Sequence, residues 1–383
     1  MPPIHLFVPS FRVEECLDEI RECLEKGWTG LGYKTVEIET AWKSYTGLPH
    51  AHFLSSATAG LHLAVRLLKE QDGWHDGDEI ISTPLTFVST NHVIQYENLR
   101  VVFADVDEGL CLDPDSIAAR ITPRTRAVMY VGLGGSTGQL RRVADLCRAH
   151  GLRLILDASH MTGTRWKNGG HAGAEADVAV FSFQAVKNLP TADAGMICFR
   201  DAALDEAVRK WTWLGINKDT YSRTTMQGSY KWQYDVEHPG FKYHGNSIMA
   251  AMALVAIRYV DPDNAYRRQI AEWYDEFLGG ELRIRRVPVS LDCVSSRHLY
   301  QIEVEHRDET MLALNQAEIY PGVHYRDNTL YRMYAYGRGS CPRAHLASEQ
   351  VISLPVHIRL TYADVSYVAE TLKKVVCRLG GKV

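Results

Sequence analysis

Short apolar runs alternate with amphipathic segments from about residue 50 to residue 200. Each run has the length of a buried strand, whereas the segments between the runs carry apolar residues every three or four positions, as helices do. Asp113 followed by Pro114 also predicts a helix start, since aspartate is a good N-cap and proline suits the first helical position. The alternation predicts an α/β fold with a mainly parallel sheet that helices cover on both faces. The predicted strands of this part are AHFLSS, DEIIST, RVVFADVD, RAVMYVGL and LRLILDAS.

The pattern changes after Asp177, where the apolar runs DVAVFSF and GMICF follow each other closely. We predict that they form neighbouring strands joined by a loop that carries Lys187. Tryptophan- and tyrosine-rich segments without a clear period follow residue 200. The C-terminal third combines helix and strand patterns, which indicates a smaller α+β unit. We therefore predict a large domain over residues 1–250 and a small domain over residues 251–383.

The composition indicates a globular protein with a large core, since 46% of the 383 residues are hydrophobic and 23% are charged. The formal charge of −4 lacks the excess of basic residues that binding to nucleic acid requires, so we exclude that class. No apolar run approaches the length of a membrane span, and the N-terminus does not resemble a signal peptide. The eight cysteines have no zinc-site spacing, so we expect no metal, free thiols and a cytoplasmic location.

Polar and aromatic residues follow several of the predicted strands. Ligands of parallel α/β sheets bind at the carboxyl ends of the strands, where loops lead into helix N-termini. The segment SSAT at 55–58 fits a phosphate at such a helix start, although it also fits ordinary helix capping. Phe87 follows the next strand and suits either a core position or a cover over a planar ligand.

Two charged residues complete this group. Asp157 ends a strongly apolar strand, where a carboxylate needs a partner: a structural arginine or the cationic ring nitrogen of a cofactor. Lys187 lies in a loop five residues after Ser182, and it is either a surface residue or a nucleophile whose pKa desolvation lowers. Phosphate cradle, aromatic cover, buried carboxylate and lysine together are what pyridoxal 5′-phosphate (PLP) requires.

The chain resembles the nucleotide-sugar aminotransferases of the DegT/DnrJ type, which are members of the PLP fold-type I, or aspartate aminotransferase, superfamily. The resemblance extends over nearly the whole length and rests on the order and spacing of its motifs together. The resemblance implies a large domain with a mainly parallel seven-stranded sheet and a smaller C-terminal α+β domain. The motifs are GWTGLG at 27–32, LSSATAGLHLA at 54–64, GDEIISTPLTFVST at 77–90, VVFADVD at 101–107, ITPRTRAVMYVGLGG at 121–135, LDASHMTGT at 156–164, FSFQAVKN at 181–188 and PGVHYR at 321–326.

The resemblance assigns roles around the cofactor ring. Lys187 matches the lysine that bonds the cofactor aldehyde and, once released, moves the proton between cofactor and substrate. Asp157 matches the carboxylate that keeps the ring nitrogen protonated. Phe87 matches the aromatic residue that stacks on the ring, and His160 matches the position near the phenolic oxygen of the ring.

The resemblance also implies residues for the cofactor phosphate. Ala57, through its backbone N–H, Thr58 and Ser182 match phosphate contacts. Lys242 stands where the family usually has an asparagine that reaches the phosphate of the partner subunit. A lysine is able to contact the same phosphate as a point charge, or Asn246 compensates. A homodimer with shared active sites is implied as well.

The substrate side is predicted from the same resemblance. Trp28, Tyr33, His324, Tyr325 and Arg326 are expected to meet the nucleotide-linked sugar. Three local departures from the family's pattern lie at Asp193, in TADAGM, and at Asp327 and Thr329, in HYRDNT.

The expected reaction is transfer of an amino group from an amino acid, expected to be L-glutamate, to a keto sugar carried on a nucleotide diphosphate, with pyridoxamine 5′-phosphate (PMP) as the intermediate form of the cofactor. Such a reaction belongs to the biosynthesis of an amino sugar. Three alternatives are a cyclitol aminotransferase, a PLP-dependent keto-sugar dehydratase and a non-catalytic binding protein. Dehydratases of this fold replace the lysine by histidine, so Lys187 favours transfer, and the retained lysine and aspartate disfavour a non-catalytic role.

Overall fold

The computed structural model of the protein describes residues 2–217 and 234–380. Part of the aromatic-rich segment that follows residue 200, at 218–233, lies outside the described residues, as do Met1 and residues 381–383.

The described residues form twelve helices and fourteen strands. The helices are α1 Val13–Glu25, α2 Tyr33–Thr46, α3 Ala57–Asp72, α4 Val88–Tyr96, α5 Pro114–Ala118, α6 Leu140–His150, α7 Ala202–Trp211, α8 Ser247–Ile257, α9 Val260–Leu278, α10 Arg307–Gln316, α11 Pro342–Gln350 and α12 Tyr362–Gly380. The strands are β1 Ile4–His5, β2 His50–Leu54, β3 Glu79–Ser82, β4 Arg100–Phe103, β5 Thr125–Val131, β6 Arg153–Asp157, β7 Arg165–Trp166, β8 Val178–Ser182, β9 Gly195–Phe199, β10 Arg285–Arg286, β11 Cys293–Val294, β12 Tyr300–Glu303, β13 Ile319–Tyr320 and β14 Val351–Leu354. Short 3-10 turns lie at Leu133–Gly135, Asn328–Leu330 and Arg332–Gly337.

A seven-stranded sheet forms the centre of the molecule, with the strand order β2-β9-β8-β6-β5-β3-β4. Strands β8, β6, β5, β3 and β4 run parallel to one another, whereas β9 runs antiparallel to both β8 and β2. The mainly parallel sheet predicted from the alternating pattern is therefore confirmed, and so is the pairing of the two apolar runs around the Lys187 loop.

The carboxyl ends of β2, β6 and β8 lie at one edge of the sheet, because β9 reverses direction between β2 and β8. Gly195 begins β9 at this edge and pairs with Leu54 at the end of β2 and with Ser182 at the end of β8. Asp157 is the last residue of β6, which neighbours β8. The segments with candidate chemistry therefore meet at one edge of the sheet.

Helices pack on the strands of the central sheet and bury them. The buried apolar side chains of the described residues form two clusters. The larger cluster surrounds the seven-stranded sheet. The smaller one lies between the antiparallel sheet β10-β12-β14 and the helices α9, α10 and α12. This second cluster belongs to the C-terminal part of the chain, and the domain boundary after residue 250 stays a prediction.

Within the described ranges, no helix combines the length and the apolar character that a membrane span needs. All eight cysteines lie in the described part of the chain, and their thiols are free.

Trp42 anchors α2 against the strand that leads to the Lys187 loop. Its indole ring is fully buried and meets the rings of Phe181 and Phe183 edge to face, with centroid distances of 4.9 and 5.1 Å. Its Nε1–H points to the Cys198 sulfur on β9 at 3.2 Å. This aromatic contact holds the chain before Lys187 against the core.

Replacing this tryptophan by alanine (Trp42→Ala) is expected to lower the free energy of unfolding by about 3 kcal/mol or more, because a large cavity opens among closely packed rings. Urea unfolding of the apoenzyme measures the change. The matched control is Leu282→Ala, which removes a side chain that is 98% exposed and should change stability by less than about 0.5 kcal/mol. Equal stability of the two variants would contradict the packing role of Trp42.

Candidate active site

A cavity of about 690 Å³ opens at the carboxyl ends of the central strands. Its walls come from the start of α3, the loop before α4, the ends of β6 and β8, and two segments of the C-terminal part. The structure brings ten of the predicted site residues together in this cavity: Ala57, Thr58, Phe87, Asp157, His160, Ser182, Lys187, His324, Tyr325 and Arg326.

Asp157 supplies a buried negative charge at the bottom of this cavity. Its carboxylate accepts hydrogen bonds from the Thr90 hydroxyl at 2.8 Å and from the backbone N–H and hydroxyl of Ser159 at 3.1 and 2.6 Å. Among the residues that the structure describes, no cationic side chain lies within 4 Å of it. A buried carboxylate without a cation fits a protonated ring nitrogen, which brings both the positive charge and an N–H donor.

The start of α3 forms a cradle for an anion. The Ser56 hydroxyl caps the helix by accepting the Ala59 N–H at 3.1 Å, while the first N–H groups of a helix have no partner within the helix. Ala57 and Thr58 line the cavity at this helix end, and Ser182 lies on the same wall at the end of β8. Backbone donors, two hydroxyls and the positive end of the helix dipole fit a phosphate group.

Gly195 is needed for the shape of this cradle. A Cβ atom added to it would lie 2.7 Å from the Ala57 nitrogen and 2.7 Å from the Ser56 carbonyl carbon. Real Cβ atoms do not approach backbone this closely, so any other residue would push the helix start away from β9. The close approach of two backbones explains the glycine at the start of this strand.

Lys187 reaches the cavity from the loop after β8, where its backbone N–H closes a turn on the Gln184 carbonyl at 2.8 Å. Burial lowers the pKa of the Lys187 amine to about 8, and the Asp157 carboxylate opposes this shift. Its Nζ forms no hydrogen bond or ion pair with any described residue. A lysine with a pKa near 8 has a much larger fraction of free amine near neutral pH than an ordinary lysine, and the free amine is able to attack an aldehyde.

His160 is held as a neutral ring beside the cavity. Burial lowers the pKa of His160 well below its usual value, and the charges of Lys187 and His324 add to this effect. Its Nδ1 accepts the Gly134 backbone N–H at 3.2 Å, so the single proton of the neutral ring is on Nε2. Nε2 lies 3.1 Å from the Tyr325 hydroxyl oxygen, which therefore accepts from the histidine and keeps its own proton for another partner.

Four other predicted residues are not part of this cavity. Lys242 places its ammonium over the Trp213 ring, 3.3 Å from the centroid, and Asn246 caps α8 by accepting the Met249 N–H at 2.9 Å. The Tyr33 hydroxyl lies 3.9 Å from the Cys23 sulfur, and Trp28 packs close to Gly32. Their predicted roles toward phosphate and sugar stay predictions.

The departures from the family's pattern fall into two groups. Asp193 lines the cavity, and burial raises the pKa of its carboxyl. Asp327 and Thr329 are buried instead and bond to each other, the carboxylate accepting the Thr329 N–H and hydroxyl at 2.8 and 2.7 Å. The carboxylate also lies 3.0 Å from the His345 Nδ1. These two residues support the fold of the HYRDNT segment rather than lining the cavity.

Sequence reasoning missed several residues of the site. Ser159 and Thr90 satisfy the Asp157 carboxylate, and Ser159 was detectable because a serine two residues after an aspartate commonly bonds back to it. His298 and Phe7 also line the cavity. They come from distant parts of the chain, so no local pattern could indicate them.

Comparisons with known proteins agree with this geometry. Residues 11–373 match the DegT/DnrJ/EryC1/StrS aminotransferase family. The aminotransferase TlmJ from Streptoalloteichus hindustanus is 31% identical, with a TM-score of 0.90 over 98% of this chain and 100% of that chain. The sugar aminotransferase CalS13 from Micromonospora echinospora is 29% identical, with a TM-score of 0.87 over 98% of this chain and 100% of that chain.

A third similar structure bears on the cofactor. The putative sugar aminotransferase Spr1654 from Streptococcus pneumoniae is 28% identical in its PMP form, with a TM-score of 0.88 over 97% of this chain and 99% of that chain. A PLP form of the same protein matches as well. The enzymes of the family depend on PLP, and the unpaired Asp157 carboxylate and the phosphate cradle of this chain fit that cofactor.

We expect the rate of PLP capture by the apoenzyme to rise with pH up to about 8 and then to level off. The aldehyde reacts with the free amine, and below the Lys187 pKa of about 8 the free fraction falls about tenfold for each pH unit. Stopped-flow absorbance at the band of the bound cofactor measures the rate. The exposed Lys167 supplies a control, since Lys167→Ala should leave the profile unchanged. A rate that keeps rising up to pH 10 would show that the pKa of Lys187 is that of an ordinary lysine.

The cradle predicts a selective defect in Gly195→Ala. The added methyl group should lower the affinity for PLP by about tenfold or more, because at least one charge-assisted hydrogen bond to the phosphate is lost. Binding of pyridoxal, which has no phosphate, should change much less. Both affinities are measured by absorbance titration of the apoenzyme. Gly170→Ala is the control, since its Cβ would meet no atom closer than 4.0 Å. Equal losses for PLP and pyridoxal would count against a phosphate cradle.

Proposed function

The chain belongs to the DegT/DnrJ/EryC1/StrS aminotransferase family, and from this premise we propose that it transfers the amino group of L-glutamate to a keto sugar carried on a nucleotide diphosphate. The observation that carries the proposal is the cavity in which Lys187, whose pKa burial lowers to about 8, and the Asp157 carboxylate, which has no cationic partner among the described residues, lie beside a phosphate cradle. The product would be an amino sugar on its nucleotide carrier.

Different residues of the cavity would bind different parts of PLP. Asp157 would bond the protonated ring nitrogen, Phe87 would cover one face of the ring, and the His160 N–H would face its phenolic oxygen. Ala57, Thr58 and Ser182 would hold the phosphate. The bound cofactor supplies an aldehyde that takes up the amino group and a ring that withdraws electrons from the reacting carbon.

Lys187 moves the proton in this proposal. Amino transfer removes a proton from the carbon that loses nitrogen and later delivers one to the carbon that gains it. Because burial brings the pKa of Lys187 to about 8, its Nζ both accepts and releases a proton near neutral pH. The dense packing of the loop around Asn188 and Leu189, which are both buried, would hold this atom at one place during both transfers.

Lys242 supports the proposal of a homodimer. Among the described residues, the cradle formed by Ala57, Thr58 and Ser182 offers a phosphate helix N–H groups and hydroxyls, which are neutral donors. Lys242 lies outside the cavity with its ammonium over Trp213, and desolvation lowers its pKa. In a dimer with shared active sites, Lys242, with Asn246, Trp28 and Tyr33, would approach the cavity of the partner subunit and add the missing positive charge.

Arg326 supports an anionic substrate. It is exposed at the cavity, and its guanidinium, 5.5 Å from the centroid of the Tyr331 ring, has no carboxylate within 4 Å in the described ranges. Arginine recognises phosphate and carboxylate oxygens with two parallel N–H donors. The diphosphate of a nucleotide sugar and the side-chain carboxylate of glutamate are both anions of this kind.

The Lys187→Ala variant should lose the visible absorption of the bound cofactor and all turnover, because no other amine replaces Nζ. In the wild type, borohydride should fix the cofactor on Lys187, as read by mass spectrometry of the peptide. Lys167→Ala should behave like the wild type. A variant that retained activity without Lys187 would overturn the proposed mechanism.

The acceptor class is tested by incubating the enzyme with glutamate and a panel of keto sugars on thymidine or uridine diphosphate. We expect 2-oxoglutarate to form with at least one of these sugars and not with a free keto-cyclitol. Turnover of the cyclitol alone would indicate a cyclitol aminotransferase. Loss of a sugar hydroxyl without formation of 2-oxoglutarate would indicate a dehydratase, and a protein that binds no PLP would indicate a non-catalytic role.

A further inference from the structure

Four aromatic side chains form one polar side of the cavity, which we call the histidine wall: His160, His298, His324 and Tyr325. The rings of His160 and His298 are 4.3 Å apart, and those of His324 and Tyr325 are 4.9 Å apart. Phe7 packs against His298 and His324 from the N-terminal segment, at 5.2 and 5.8 Å. These contacts give the wall a single, closely packed arrangement.

The histidine wall carries no charge at neutral pH. Burial lowers the pKa of His298 well below its usual value, and burial lowers the pKa of His324 to about 4, with the Lys187 charge adding to both shifts. His160 is neutral for the same reason. A neutral wall is a poor partner for phosphate or carboxylate and a suitable one for uncharged polar groups.

A chain of amides determines which nitrogen of His298 carries the proton. The Asn264 Nδ2 donates to the Thr162 carbonyl at 2.9 Å, so its Oδ1 is the acceptor that faces the Asn188 Nδ2 at 2.6 Å. The Asn188 Nδ2 also donates to the Ser296 carbonyl at 2.9 Å. Its Oδ1 is therefore the atom that lies 2.8 Å from the His298 Nδ1, which must donate.

The other ring nitrogen of His298 is left with a free lone pair. With the proton of the neutral ring on Nδ1, Nε2 is only an acceptor, and it forms no hydrogen bond with any residue in the described part of the chain. His298 itself lines the cavity. The wall thus offers an acceptor at His298 Nε2 and a donor at the Tyr325 hydroxyl, while the His324 Nε2, which has no hydrogen-bond partner among the described residues either, donates or accepts according to its tautomer.

We propose that His298 is a specificity-determining residue whose Nε2 accepts a hydrogen bond from the acceptor sugar's hydroxyl next to the keto carbon. The inference rests on the proposed function, since it concerns the second substrate of the same site. A hydroxyl matches the wall because it donates to Nε2 and accepts from the Tyr325 O–H. The His298 ring is 4.3 Å from the ring of His160, which the proposed function sets beside the cofactor, so in this proposal the contact lies near the part of the sugar that reacts.

A carboxylate of the amino donor does not fit this place. Its oxygens would face the lone pair of the His298 Nε2 and would find no positive charge on the wall. Arg326 offers the charge that a carboxylate needs. His298 therefore acts on the sugar, and the reaction with glutamate should not depend on its Nε2.

The test compares two sugars in the half-reaction that returns the PMP form of the enzyme to the PLP form. The probes are dTDP-4-keto-6-deoxyglucose, which has a hydroxyl at carbon 3, and its 3-deoxy counterpart. The wild type should use the first at least about tenfold more efficiently, the value of one hydrogen bond whose buried partner is otherwise unpaired. Stopped-flow absorbance of the cofactor gives both second-order rate constants.

Two substitutions of His298 distinguish the effect of the Nε2 lone pair from that of the hydrogen bond between Nδ1 and Asn188. His298→Asn keeps an N–H that is able to reach Asn188 and removes Nε2, so its preference for the hydroxylated sugar should fall to within about threefold of unity. His298→Gln places an amide oxygen near the position of Nε2 and should keep part of the preference. His306→Asn, on the exposed surface, should match the wild type. The half-reaction with glutamate should change by less than about threefold in all three variants.

Several outcomes would overturn the inference. A wild type that uses both sugars equally rules it out without any variant, so the test holds even if a variant fails to fold. If His298→Asn slows both half-reactions equally, His298 acts on Lys187, which serves both half-reactions, rather than on the sugar. If glutamate converts the enzyme to its PMP form and neither sugar reverses this, the inference fails for 4-keto sugars. If glutamate does not react, the proposed function itself is wrong.

Discussion

The Asp157 carboxylate lies buried at the end of β6 with three hydrogen bonds and no cation within 4 Å in the part of the chain that the structure describes. Hydrogen bonds from Thr90 and Ser159 reduce the free-energy cost of burying this carboxylate, but they do not remove it. A protonated ring nitrogen supplies both the opposite charge and a further donor. In the proposed complex with PLP this interaction would set the position of the ring, and with it the positions of the aldehyde and the phosphate.

Burial lowers the pKa of the basic groups of the cavity. It lowers the pKa of Lys187 to about 8 and keeps His298 and His324 neutral. One physical cause therefore provides a reactive amine and an uncharged polar wall in the same space. The exposed Arg326 lines the same cavity, which therefore combines an uncharged polar wall with a guanidinium group. This combination fits a substrate with an uncharged sugar and a charged carrier.

Much of the site was predictable from short segments of sequence. Asp157, Ser182 and Lys187 stand at or just after strand ends, and the SSAT segment stands at a helix start, so the carboxyl-end rule alone brings them together. Helix α4 begins directly after Phe87 and carries Thr90 toward Asp157. In contrast, the sequence shows Asp327 and Thr329 only as departures from the family's pattern, and the structure shows that their side chains bond to each other inside the fold.

The sequence by itself determined the order and type of the elements and the chemistry at their ends, because apolar periodicity and capping act over a few residues. Only the tertiary structure decided that β9 lies between β2 and β8, which brings Gly195 against the start of α3. It also decided that His298 meets Asn188 and that Phe7 packs on the histidine wall. Such contacts join residues that are far apart in the chain, and they arise from how the layers pack rather than from any local preference.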